Sequence, residues 1–500
     1  MSRSTEEFRS MFKAARRAGT PLVAVRTADP ASAMAQVMAS LNGKSEIPVV
    51  VWDILNGLTG RNEPGKTTVG KLVGENAGPL GPADALAAAQ KIARDAVLFF
   101  LNPQRVWEQV DVLQGIWNLR DVFKANGQML VLISTPGASL PPELQSDVMV
   151  IDEPLPSAEE LAVLVQETFE AADLPAPSEQ SVEKAVDALV GLAAFPAEQV
   201  LAMSLSKSGL DFDRLWDRKR QAVEQKPGLT IWRGGETFDQ IGGCENIKRF
   251  LDAVIHGEEA PRVIVFVDEI EKAFAGSGTD TSGVKTEMTG TMLSWMQDRG
   301  ADGVIFIGPP GAAKSAVAKA AGATAGIATV AFDLAAMQSS LVGGSGERLR
   351  AALQVVDAIS QGRSLWIATC NSITSLPPEL RRRFTLGTFF FDLPTAEERE
   401  AIWNIYEQRW QLTGERPDDD GWTGAEIKEC CRKAWRLKLS LRESAAYIVP
   451  VSRSAVDQIE ALRRQASGRF LSACQPGVYS AESESLPVGS GRRSFREIGD

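Results

Sequence analysis

An α/β fold on parallel sheets is predicted by three observations. Short unbroken runs of Val, Ile, Leu and Phe alternate with longer helical stretches through two regions, the pattern of parallel strands covered on both faces. In the second region, GVIFIGPPGAAKSAVAKAAG has the order strand, glycine loop, helix. Shortly before it, the apolar strand RVIVFVDE ends in two acids.

Taken in order, MSRSTEEFRSMFKAARRAG lacks the apolar core of a signal peptide. It reads as an amphipathic helix with Phe8, Met11, Phe12 and Ala15 on one side. Strands follow at 21–27, 47–53, 96–102, 128–135 and 147–152. Residues 157–222 read as helices broken at Pro175, Pro177 and Pro196. An N-terminal α/β platform of 1–225 therefore leads, through a Pro/Gly-marked linker of 226–245, to a second α/β unit of 246–394. The strands of that unit are expected at 262–269, 303–309, 327–333, 364–371 and 388–394. Helices are expected over 395–474. The tail, 475–500, is rich in Ser, Gly and charge and is expected to be disordered.

Composition narrows the chemistry. Of the 500 residues 44% are hydrophobic and 23% charged, ordinary for a soluble globular chain of about two to four domains. No stretch nears the roughly 20 apolar residues of a membrane span, and a cytoplasmic location is expected. A net charge of −11 argues against bulk binding to a nucleic-acid backbone. Cys244, Cys370, Cys430, Cys431 and Cys474 show no metal-ligand spacing and suit a reducing setting. His256 is the only histidine, so acid–base work must fall to carboxylates, Lys, Arg and backbone amides.

The glycine loop fits G-x-x-x-x-G-K-S, whose backbone amides, from Gly308 through Pro309, Pro310, Gly311, Ala312 and Ala313, would cradle phosphate. Lys314 would reach the β- and γ-phosphates and Ser315 would ligate Mg²⁺. ATP and Mg²⁺ are thus the expected cofactors. Ala313 stands where glycine normally precedes the lysine; a positive φ there costs about 1–2 kcal/mol. Asp268 can hold Mg²⁺ through water, and Glu269 can polarise the attacking water. Asn371, ending the strand SLWIATCN, can orient the same water. Arg381, Arg382 and Arg383 open a loop after that strand, where an arginine finger serving a neighbouring subunit belongs; Arg383 is preferred, then Arg382. A second match to the loop pattern, GRNEPGKT (60–67), follows its strand too late and is expected to be a surface loop.

These motifs resemble the AAA+ ATPases of the FtsH-like group. They are most similar to the AAA+ proteins first named as hypothetical chloroplast open reading frames, also common in cyanobacteria. FDQIGGCENIKRFL, DEIEKAFAGSG, SLPPELRRRF, FFFDLPTAEERE and WTGAEIKECCRKA carry the likeness. It implies a five-stranded parallel core sheet ordered 5-1-4-3-2 and a helical lid. Ile241, Gly242, Gly424 and Ala425 would lie near adenine, and Leu341 and Val342 in a pore loop that grips polypeptide. One departure is large, because the acidic strand here precedes the phosphate loop, a permuted order. Mg²⁺ must touch Ser315 and, directly or through water, Asp268, so strand 364–371 must lie between the strands bearing them. The leading expectation is an ATPase remodelling a protein partner as a homo-oligomeric, hexameric ring. A nucleic-acid motor and a non-catalytic nucleotide-dependent scaffold are the rivals.

Overall fold

Two parallel-rich sheets organise the chain. The computed structural model describes residues 5–41, 46–73, 78–136, 138–207, 209–274, 284–337, 344–372, 376 and 378–481. The first sheet comprises β1 (Leu22–Arg26), β2 (Val49–Asp53), β3 (Gly57–Gly60), β4 (Val97–Leu101), β5 (Met129–Ser134) and β6 (Met149–Asp152). Their spatial order is β3-β2-β4-β5-β1-β6, and all pairs but the β2–β3 hairpin are parallel. Alternate residues feed two cores because a strand's side chains point to opposite faces. Val50, Trp52, Leu98 and Phe100 pack with helix Val110–Asn126. Val49, Val51, Val97 and Phe99 pack with helices Thr5–Arg17 and Pro30–Ser40.

A small hairpin, β7 (Leu205–Ser206) with β8 (Gly209–Leu210), precedes the second sheet. That sheet holds β9 (Leu229–Arg233), β10 (Val263–Val267), β11 (Asp302–Ile307), β12 (Ala328–Phe332), β13 (Ser364–Cys370), β14 (Thr388–Phe390) and β15 (Leu471–Ser472). Its order is β15-β14-β11-β13-β10-β12-β9. The expected five strands are therefore seven. β9 pairs antiparallel with β12 at one edge, and β15 pairs parallel with β14 at the other. The linker reading of 226–245 missed β9, whose buried Leu229 and Ile231 flank an exposed Thr230 in the alternation of an edge strand. β13 lies between β11 and β10, the position expected for strand 364–371.

The crossovers obey one hand. Those running from β10 to β11 and from β12 to β13 lay helices Val284–Arg299 and Gly344–Ser360 on one face, whose core includes Val263, Val265, Ile305 and Trp366. The return from β11 to β12 lays helix Lys314–Ala325 on the other, beside Ile264, Phe266, Val304 and Phe306. Opposite travel on opposite faces is what right-handed connections demand. The two sheets also share a plan. Read from β6, the first runs β6-β1-β5-β4-β2 and ends on an antiparallel strand; read from β14, the second runs β14-β11-β13-β10-β12 and ends likewise. The threading differs, and β15 extends the second sheet by one strand beyond β14.

Two expected boundaries move. Helices Ala158–Ala171, Glu179–Leu189, Ala194–Ala202 and Phe212–Glu224 share one apolar core with the second sheet, so the core does not break at residue 225. Helices Ala396–Trp410, Gly424–Leu437 and Leu441–Ala445 form a separate core around Trp403, Trp422 and Ile427. The chain then returns: Arg463 pairs with Asp392 at 2.9 Å, and β15 joins β14. Past residue 475, Tyr479 donates to Asp392 at 2.6 Å and packs on Phe390 with ring centroids 4.5 Å apart. The expected disordered tail is thus placed through residue 481, and 482–500 lie outside the described residues.

Candidate functional site

The site is built where β11, β13 and β10 end. After β11 the chain turns through Gly308 to Ala313 into helix Lys314–Ala325. A Cβ on Gly308 would stand 2.1 Å from the carbonyl oxygen of Phe391, and Gly311 has a φ of 81°; glycine is required at both. Ala313 has a φ of 65°, the left-handed conformation that penalises alanine. Lys314 is buried and donates to the carbonyls of Gly308 and Pro309, each at 2.7 Å. Burial pushes its ammonium down to about 8, opposed chiefly by the negative charge of Glu271.

Ser315 donates to Asp268 Oδ1 at 2.8 Å, across the gap that β13 spans. Thr369, on β13, donates to the same oxygen at 2.5 Å and accepts the Glu269 amide at 2.9 Å. Glu269, at a φ of 46°, accepts from Asn371 Nδ2 at 3.1 Å and is ion-paired with Lys272. Burial, reinforced by Glu271, pushes the Cys370 thiol up to about 12, so it is no nucleophile at neutral pH. Ser315 and Asp268 offer hard oxygens of the kind Mg²⁺ takes, with its remaining ligands drawn from phosphate and water. No group of three or more His, Cys, Asp or Glu suited to holding a metal occurs among the described residues. The donor set thus fits an ion brought in with a nucleotide.

A pocket of about 380 Å³ runs from these groups to the separate helical core. Asp268, Glu269, Pro310, Gly311, Ala313, Lys314, Ser315 and Asn371 line one end; Ile241, Gly242, Gly424 and Ala425 line the other. Sequence reasoning missed Thr369, Glu236, Ile402, Tyr406 and Lys428, which also line it. Thr369 had a signal, being a polar residue in a buried strand, two positions before Asn371 and so on its face. Ile402, Tyr406 and Lys428 arrive because the helical core docks there, and Glu236, just after β9, meets that core through an ion pair with Arg409. Gly242 permits that docking, since its Cβ would meet Ile402 at 2.6 Å.

Other expected residues lie elsewhere. Arg383 donates to Gln297 at 2.7 Å, and neither it nor the exposed Arg382 lines the pocket. Leu341 and Val342 lie outside the described residues. GRNEPGKT is not an open loop: β3 ends at Gly60 and a helix begins at Glu63. Lys66 pairs at 2.7 Å with Glu63 on that helix, while Asn62 caps its start by accepting the Gly65 amide. Two intervening residues leave no cradle for a phosphate.

Sheet, glycine loop and paired acids together form a site suited to the phosphates of a nucleotide. Residues 6–153, which contain the first sheet, match the family described as SpoVK-like AAA ATPase, N-terminal domain. The chain is 25% identical over 396 residues to the uncharacterized AAA domain-containing protein ycf46 of Gracilaria tenuistipitata var. liui, across 68% of this chain and 73% of that one. The protein of the same name from Pyropia yezoensis is 21% identical over 485 residues, across 89% and 94%. These similarities support an AAA-family ATPase with low-identity homology to the ycf46 proteins. No helix among the described residues is long and apolar enough to cross a membrane.

Proposed function

We propose that the chain is a Mg²⁺-dependent ATP hydrolase of the AAA+ kind, with a permuted core and a helical lid, working as a homo-oligomeric ring that remodels a protein partner. The observation that carries this reading is the 2.8 Å contact between Ser315 and Asp268. It brings the phosphate loop and the acidic strand to one point although chain order is reversed. Ser315 and Asp268 would hold Mg²⁺, which when bound neutralises charge on the phosphates. Loop amides and Lys314 would bind the phosphates, while Ile241, Gly242, Gly424 and Ala425 would enclose the base. Glu269 would take the proton of the attacking water, with Asn371 fixing the carboxylate that receives it. Arg383, with Arg382 as alternative, would act on a neighbouring subunit's site, and Leu341 with Val342 would grip the partner.

Glu269→Gln is expected to retain ATP binding and lower turnover by about 10²-fold or more. Phosphate release and nucleotide affinity are measured on both proteins, with and without single-stranded DNA. Turnover near wild type in the variant removes Glu269 from the role. Strong stimulation by DNA would favour a nucleic-acid motor instead.

A further inference from the structure

Glu271 lies behind the groups above, its charge felt by Lys314 and Cys370. It is 8% exposed, it does not line the pocket, and its carboxylate lies beside the Cys370 thiol. Its Oε1 accepts the backbone amide of Asn371 at 2.9 Å. Asn371 is the first residue beyond β13, where sheet pairing no longer fixes the backbone. Two acids of one short segment therefore seize the same residue. Glu271 holds its main chain, and Glu269 accepts its side chain at 3.1 Å. A buried carboxylate is costly, and a charge-assisted bond to an amide offsets part of that cost.

We infer that Glu271 is a positioning residue for hydrolysis: by gripping the Asn371 amide, it aims the Asn371 side chain at Glu269. The inference rests on the proposed ATPase reading. Glu271 does not itself line the pocket, but it holds Asn371, which does, and its charge supports the Lys314 ammonium. A variant that keeps the charge is therefore the one expected to act on turnover and leave nucleotide binding in place. Contact and charge can be separated. Glu271→Asp keeps the charge but is one methylene too short to reach the amide. Glu271→Gln keeps an acceptor at full reach but loses the charge.

The test measures kcat, KM and the affinity for a fluorescent ATP analogue in the full chain, with circular dichroism as the folding check. Glu271→Asp is expected to lose roughly tenfold to hundredfold in kcat, the scale of a misplaced catalytic group, with analogue affinity within about threefold. Glu271→Gln is expected to recover most of that loss, to within about fivefold of wild type, since a neutral bond is about half as strong. Adding Glu271→Asp to Asn371→Ala should cost little more, because both act through one side chain. Three results overturn the inference: Glu271→Asp turning over at the wild-type rate, Glu271→Gln as slow as Glu271→Asp, or losses that multiply in the double variant. A wild-type chain without ATPase activity removes the underlying reading, and the inference with it. Wild-type turnover with both variants unimpaired removes the inference alone.

Discussion

At the scale of single residues, Ala313 and Lys219 are held against their preferences. Ala313 sits at a φ of 65°, which costs about 1–2 kcal/mol; glycine would relieve that but lose about 0.5–1 kcal/mol to unfolded-state entropy. Ala313→Gly is therefore expected to stabilise by up to about 1 kcal/mol, a Tm rise of about one degree in a chain of this length; a lower Tm by calorimetry would contradict the strain. Lys219 is fully buried, donates to the Asp187 carbonyl at 3.2 Å and lies 4.5 Å from the Trp216 ring centre. Burial pushes its ammonium from 10.5 down to about 7. The unfolded chain then binds more protons between those values, so this residue makes stability rise with pH across that window, by at most about 1.4 kcal/mol per unit. Lys219→Met should be more stable at pH 7, with the advantage shrinking towards pH 10 in urea melts. Asp268, Glu269, Lys314 and Ser315 were legible in sequence because their chemistry is local to two short motifs. Tyr406 and Lys428 were not, because tertiary docking alone brings them to the pocket.

At the scale of elements, long apolar runs announced β4, β5, β10, β11 and β13, since strands buried on both faces need little context. β15 was illegible: two residues, Leu471 and Ser472, have no pattern, and the strand exists because β14 offers it an edge. Tyr479 then holds the chain beyond it, through Asp392 and Phe390. Tyr479→Phe is expected to cost about 1.5–3 kcal/mol, the range for a hydrogen bond to a charged group. Tyr479→Ala should cost more by losing the ring contact too. Urea unfolding of both measures the difference, and equal midpoints for wild type and Tyr479→Ala would show that the segment is not docked.

At the scale of the whole molecule, the ring reading turns on whether one subunit completes another's site. Arg383 leans on Gln297 and away from its own pocket. Arg383→Ala is expected to leave nucleotide affinity nearly unchanged while lowering turnover by about 10³-fold or more, the range for an arginine finger. Mixing it with Glu269→Gln subunits should restore some activity at mixed interfaces. Absence of rescue at every mixing ratio would count against action in trans. The unexpected unity of residues 158–224 with the second sheet belongs to this scale too. Helical periodicity was visible there, but which sheet the apolar faces cover depends on how the chain turns back.

The position of β13 has a consequence for synthesis on the ribosome. Val263 pairs with Ser364, and Asp302 with Leu365. Both motif-bearing strands have therefore emerged before the strand that belongs between them is made. A nascent chain paused ahead of residue 364 holds every phosphate-binding group yet leaves a strand-wide gap of exposed main-chain donors and acceptors. Such an opening invites pairing with another chain until β13 fills it.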